Sequence, residues 1–526
     1  MWRKIIAVAL LCGLLAAGAG AQETSGTKVQ SVDRAAGSGL SGIALISRAE
    51  ALRVAGELTE AARLYKEGFA TLKVDDPEEA RYSRICRDGL ISIDLVRATY
   101  SLDERAADAA LAAAFPEWAA AGGTAQGAAR GLERFIIDGK PLYTADLVDN
   151  VQFRDMKLMH ADEKKNSLYA RLVSQMVERV ASVWPKQSWK TYDYPATYTG
   201  LHAIEIPRDR LPAAGLFKLW IPLPITLAYQ QPAEILSVEP AEYVALPPSS
   251  AGRVSTLYME IPLEKITGPL KIDVRFKFTH YEQHFKVEPA LVGAYDTADP
   301  EYIEYTKSSG NIEVTPEIQA IAKKVVGDEK NPYLAARKIY DYMMKTVDYS
   351  YMPHLIFDPR SSLTESAYVQ EYKVGDCGSQ AMYFAALCRA VGIPARTPGG
   401  WQLFTNNFAS HFWAEFYVPN YGWVPVDPSA GQMSLYTDRV DSATRQAYTD
   451  FFFGRQDAYR CVVQTNVDEP FVPVYPGMSF IPLAIQNPVA SCDAMDPAKG
   501  EDVLFTMLEF STLKVEKADV SKPLGL

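Results

Sequence analysis

At Pro185 the hydrophobic period of this 526-residue chain changes, and few features limit its fold more. Upstream, Leu168, Leu172, Val173, Met176, Val177 and Val180 recur at helical spacing and stop short of the proline, which predicts a helix with one apolar face. Downstream, Leu270, Ile272, Val274, Phe276 and Phe278 alternate with Lys271, Asp273, Arg275, Lys277 and Thr279, the period of a half-buried antiparallel strand. Helical spacing returns in "NPYLAARKIYDYMMKTVDYSY", where Asn331 can cap and Pro332 fits the first helical position. Three regimes in a chain longer than one core sustains imply a multidomain α+β protein.

The N-terminus predicts export. Arg3 and Lys4 precede an apolar run over residues 5–15, and small residues follow up to Ala19-Gly20-Ala21, the pattern of a secretory signal peptide cut after residue 21. Without that segment 51 Lys and Arg stand against 64 Asp and Glu, a net charge of −13. Such a surface repels nucleic acid and anionic membranes, so neither is expected as a partner. No later segment has the length of an integral membrane segment, and the expected location is the periplasm or the secreted fraction.

Five cysteines remain, Cys86, Cys377, Cys388, Cys461 and Cys492. An odd number in an oxidising compartment leaves at least one thiol unpaired. Cys461 and Cys492 are the expected disulfide pair by position, although sequence does not fix connectivity. In the helical region "LRVAGELTEAARLYKEGF" resembles one tetratricopeptide-type hairpin, but a single copy favours an ordinary helical hairpin.

His280 and His284 are four residues apart, which on a strand places them about 13 Å apart, too far to share an ion. They read as surface or core histidines; the acidic run "VDDPEEA" lies in the helical region, and no clustered carboxylates accompany the core to make a calcium loop. The expectation is no metal and no cofactor.

The chemistry centres on "YKVGDCGSQAMYFAALCRAVGIPAR". Gly375 gives a turn, Asp376 can cap, and helix formers run from Cys377 to Val391, ending at Gly392 with Pro394 just beyond. A thiol at a helix N-terminus feels the positive pole of the backbone dipole, which favours thiolate. Cys388, about 16 Å further along the same helix among Ala385, Leu387 and Val391, reads as an inert core thiol. In "SHFWAEFYVPNYGWVPVDPS" a hairpin folding about residues 419 to 420 sets Asp427 opposite or nearly opposite His411, within reach of a ring N–H.

Cys377 with its "GDC" context, "LCRAVGIPAR" and the His411 to Asp427 segment together resemble the transglutaminase-like family of papain-related cysteine enzymes over about residues 315–435. The resemblance implies Cys377 as nucleophile, His411 as general base and Asp427 as the group that orients it. It implies acyl transfer or hydrolysis at protein or peptide amides, cell-wall peptide among them. Tyr372 and Gln370 are candidate oxyanion donors beside the Cys377 N–H. Trp413 and Trp423 read either as cleft walls or as packing.

The expected organisation is thus signal peptide 1–21, flexible lead-in 22–42, helical domain 43–185, β-sandwich domain 186–290, transglutaminase-like core 291–450 and β-rich C-terminal extension 451–526. The rival reading is a catalytically silent scaffold of the same fold that binds peptide or glycan.

Overall fold

A computed structural model describes residues 41–72, 77–161, 174–175, 177–178, 180, 190–248, 252–354, 363–403, 408–475, 486–496 and 509–520. The signal-peptide and lead-in segments up to residue 40, and most of the helical stripe before Pro185, lie outside them.

The first helices form the expected hairpin. Gly42–Val54 is capped by the Ser41 hydroxyl and packs on Leu58–Phe69, and Gly56 turns between them at φ +82°, a conformation costly for any residue with a Cβ. Ala61 and Tyr65 are fully buried, and Pro77–Thr99 adds a third helix to their core.

This region is not wholly helical. Leu102–Asp103, Arg134–Ile137 and Lys140–Tyr143 form a three-stranded antiparallel sheet. The cause is a two-residue turn at Asp138-Gly139, where both residues have positive φ, the Asp-Gly signal that closes a tight hairpin. Two short helices follow, Leu147–Phe153 and Met156–Ala161.

Beyond residue 190 two antiparallel sheets share one core. Tyr192–Ile206 pairs along its length with Leu270–His284, whose Leu270, Ile272, Val274, Phe276 and Phe278 are all buried. Ser511–Val520 flanks the first strand, while Glu234–Glu239 and Arg455–Gln456 flank the second. Opposite lies a sheet of Leu216–Pro222, Thr256–Pro262, Val244–Leu246 and Val489–Ser491, and Phe217, Leu219, Met259 and Ile261 meet Val274 and Phe276 in a common cluster. A self-contained β-sandwich over 186–290 is therefore not what forms. Its strands are completed by segments from 455–520, because the outer edges of the long strands need backbone partners.

His280 and His284 are both buried. His280 Nδ1 lies 3.2 Å from Gln230 Oε1, and His284 Nε2 lies 2.9 Å from Glu282 Oε2. The expected Cys461–Cys492 disulfide is absent, since both thiols are free. Cys461 sits on the strand Arg460–Gln464 opposite Trp401, whereas Cys492 follows the edge strand Val489–Ser491 of the other sheet.

The remaining layer is helical with small sheets. Pro316–Val326 and Pro332–Thr346, capped by Thr315 and Asn331, pack around Cys377–Arg389. Against this central helix lie the hairpin Ala414–Val418 and Gly422–Val426, and the sheet of Gly399–Gln402, Ala409–Phe412 and Arg460–Gln464. Gly400 is required in that sheet: a Cβ there would meet the Cys461 carbonyl at 1.9 Å.

Candidate active site

Cys377 is the first residue of its helix, and Asp376 is the cap. The Asp376 Oδ1 accepts from the Ser379 N–H and hydroxyl, both at 3.0 Å. The backbone therefore places the thiol at the positive helix pole as its sequence predicts. The protonation state differs from the expectation. Burial first, and the Asp376 carboxylate second, push the thiol well above its ordinary value, against the N–H groups of Phe412 and Gly378 that approach it. A helix dipole contributes about 0.3–1 kcal/mol near the surface, too little to offset desolvation and an adjacent anion. Cys388 is fully buried among apolar neighbours, and burial likewise raises its thiol.

His411 reaches Asp427 by a route other than direct strand pairing. The hairpin register sets Ala414 against Val426 and Val418 against Gly422. The chain then leaves that sheet at Trp413, and His411 pairs instead with Gly400. The two side chains nevertheless meet, with His411 Nε2 2.7 Å from Asp427 Oδ2, because Asp427 ends its strand as the cap of Pro428–Gln432. Its Oδ1 accepts from the Ala430 N–H at 2.9 Å and the Ser429 hydroxyl at 3.1 Å.

A fourth group was not foreseen. Arg460, with no exposed surface, donates to Asp427 Oδ2 at 2.6 Å and to Asp457 Oδ2 at 2.8 Å, and its guanidinium lies 5.0 Å from the Trp413 ring centre. Burial alone would raise the Asp427 carboxyl, but His411 and Arg460 override it and hold it far below the usual range. The available signal was Asp457 three residues before Arg460 in "FFGRQDAYRCVV", a pair whose spacing suits an ion pair but does not name its second partner.

Cys377 and His411 line one narrow cleft of about 50 Å³ with Tyr349, Gln402, Tyr436 and Phe153. Phe153 comes from the N-terminal region, and buried polar contacts fix it there. Asn150, with no exposed surface, donates to the Tyr351 carbonyl at 3.2 Å and accepts its N–H at 2.7 Å. Glu133 accepts from the Ser350 hydroxyl at 3.0 Å while Arg154 holds both its oxygens at 2.9 Å. Phe153 then packs edge-on against Tyr349 and Tyr351.

The structure does not bring the other predicted residues to this cleft. Tyr372 packs on Tyr368 with the rings tilted and their centres 4.8 Å apart, and Gln370 accepts from Lys373 Nζ at 3.0 Å and from the Tyr383 hydroxyl. Their helix ends at Lys373 in the left-handed region, which turns the chain before Cys377. Trp413 is buried behind His411 with Ile225, Tyr229 and Val462. Trp423 lies toward the far end of the hairpin under Arg396, 4.1 Å from its ring centre.

The central helix Cys377–Arg389 packed against the small sheets that carry His411 and lead to Asp427 is the fold of a transglutaminase-like domain, and the comparisons locate it. The family model described as Transglutaminase-like superfamily matches residues 319–428. An uncharacterized protein of Haemophilus influenzae is 24% identical over 295 residues, 51% of this chain and 77% of that one. A protein-glutamine gamma-glutamyltransferase of Pseudomonas aeruginosa is 32% identical over 83 residues, 14% of this chain, and the match spans only 12% of that relative's length. Among solved structures, a putative cysteine protease from Cytophaga hutchinsonii aligns over 63% of this chain and 92% of its own, at 13% identity and a TM-score of 0.36.

Proposed function

We propose that this protein is an exported cysteine-dependent enzyme that transfers or hydrolyses the acyl group of protein or peptide amides. The observation that carries the reading is that Cys377 and His411 line one cleft while Asp427 holds His411 from behind. Asp427 engages His411 Nε2, so Nδ1 is the ring nitrogen left for proton transfer. The Cys377 thiol gives its proton to Nδ1 as sulfur forms a bond to the amide carbonyl carbon. Collapse of the adduct breaks the C–N bond, and His411 returns the proton to the leaving amine. Water or a second amine then attacks the thioester, delivers its proton through His411 and frees the thiol. Burial and Asp376 both raise the resting thiol, so the attack depends on His411 as the base that takes its proton. Phe153 and Tyr436 line this cleft of about 50 Å³ beside Cys377, so removing either side chain widens the approach to the thiol.

The test is a peptide-amide library incubated with and without free amine, with acyl-enzyme and products identified by mass. A thioester on Cys377 that is absent in Cys377→Ala is the expected result. Products that persist in Cys377→Ala, or no adduct with any peptide, would remove the reading.

A second reading, a catalytically silent scaffold of the same fold for peptide or glycan ligands, draws support from the thiol, which is only partly exposed and is raised by desolvation and Asp376. Phe153→Ala distinguishes the two. An enzyme kept closed by this side chain modifies Cys377 with iodoacetamide at least several-fold faster in the variant. A scaffold shows the same slow labelling in both proteins and keeps its ligand in Cys377→Ala.

A further inference from the structure

A second histidine, outside the His411–Asp427 pair, contacts the cap of the Cys377 helix. His354 Nε2 lies 2.7 Å from Asp376 Oδ2, the oxygen that Ser379 leaves unused. His354 Nδ1 lies 2.7 Å from Glu365 Oε1, and the Glu365 side chain has no exposed surface. A neutral imidazole carries one N–H and one lone pair. Its lone pair would then face a carboxylate oxygen at contact distance, so the proton count that fits both contacts is an imidazolium between two anions.

We propose that His354 is a positioning residue for the chemistry of Cys377: clamped between Glu365 and Asp376, it fixes the cap of the Cys377 helix and offsets the carboxylate charge that opposes thiolate formation. The proposal rests on Cys377 being the reacting group. The groups that face this unit are few. Glu365 begins the helix Glu365–Tyr372, Asp376 caps the Cys377 helix, and Asp468 acts on Glu365 from beyond the strand Arg460–Gln464. Cys377 feels Asp376 and, more weakly, Asp427. Among the described residues the cation in contact with Asp376 is His354.

The charge balance gives the consequence. With His354 charged the unit carries one net negative charge, and without it two. Burial lowers a histidine, but here Glu365 and Asp376 outweigh it and hold His354 well above its ordinary value. The stabilisation from these contacts is therefore full below the unfolded value of about 6.5 and is lost as pH rises through the folded value. Over the same alkaline range the thiol faces an uncompensated Asp376, so its ionisation is held back as pH climbs.

The experiment is the pH profile of Cys377 alkylation by iodoacetamide in the intact protein, read by mass on the Cys377 peptide, which needs no substrate. His354→Gln is expected to slow alkylation about tenfold near pH 8, the effect of a one-unit rise in the thiol pKa, and His354→Lys to recover part of that loss by restoring a cation. A profile for His354→Gln that superimposes on the parent overturns the proposal, and so does a slowing that Lys does not relieve. Should His354→Gln fail to fold, Asp376→Asn decides with the opposite sign: it keeps a capping side chain but removes the anion beside the thiol, which speeds alkylation, and an unchanged or slower rate overturns the proposal. If the profiles shift as expected while no acyl-enzyme forms with any peptide, the catalytic reading falls and the electrostatic role of His354 stands.

Discussion

His411→Ala is expected to abolish acyl transfer while leaving the fold almost as stable as before. Removing the base from a nucleophile-base unit costs on the order of 10³–10⁶ in turnover, since the members act together. The effect is large here because the resting thiol is protonated, held up by burial and by Asp376, and no other described titratable side chain beside His411 and Cys377 lines the cleft to take its proton except tyrosines. Stability is spared for a separate reason. Asp427 keeps Arg460, the Ser429 hydroxyl and the Ala430 N–H when the imidazole leaves, so its buried charge is not orphaned. The measurement pairs acyl-enzyme yield by mass with the urea unfolding midpoint. Activity within tenfold of the parent would end the role of His411 as base, and a collapse in stability would show that the ring holds the site together more than it reacts.

The parts of the site legible in sequence are those set by local rules. The glycine turn, the Asp376 cap and the run of helix formers placed Cys377 at a helix start, and local hydrogen bonding to Ser379 is all that this requires. The meeting of His411 and Asp427 was legible in outcome but not in route. Hairpin arithmetic assumed one continuous strand, whereas the chain changes sheets at Trp413 so that His411 pairs with Gly400. That exchange depends on the strand Arg460–Gln464 arriving from far along the sequence, and no local period reports it. The same distance hid Arg460 and Phe153. Arg460 touches Asp427 across 33 residues, and Asn150, which seats the Phe153 helix, touches Tyr351 across 201. The alternation of Leu270–His284 was plain because each residue needs only its neighbours to declare a face. The Asp138-Gly139 hairpin is equally local, but it is embedded in a region whose apolar spacing is otherwise helical, which masks two strands of four residues each.

Arg460→Met is expected to produce the larger loss of stability. The guanidinium lies between two buried carboxylates, Asp427 and Asp457, with no surface exposed. Breaking a buried pair by removing one partner costs about 3–5 kcal/mol, because the anion left behind has neither water nor cation, and here two anions are left. His411 remains for Asp427, so Asp457 bears more of the penalty; Arg460→Met with Asp457→Asn should therefore recover much of the loss. The pH dependence follows from sign. In the parent, Asp427 is held far below the usual carboxylate range, so its contribution is full above the unfolded value near 3.9 and disappears as pH falls through the folded value. In the variant Asp427 loses one of the two cations that hold it down, so its carboxyl rises and takes up a proton at higher pH, which relieves its charge. The stability difference between the two proteins should be greatest near pH 7 and shrink steadily toward pH 4. Urea midpoints at pH 7, 5.5 and 4 measure it, and a difference that is below about 1 kcal/mol at pH 7, or that grows on acidification, would contradict the assignment of Arg460 as the cation that holds Asp427 in place for His411.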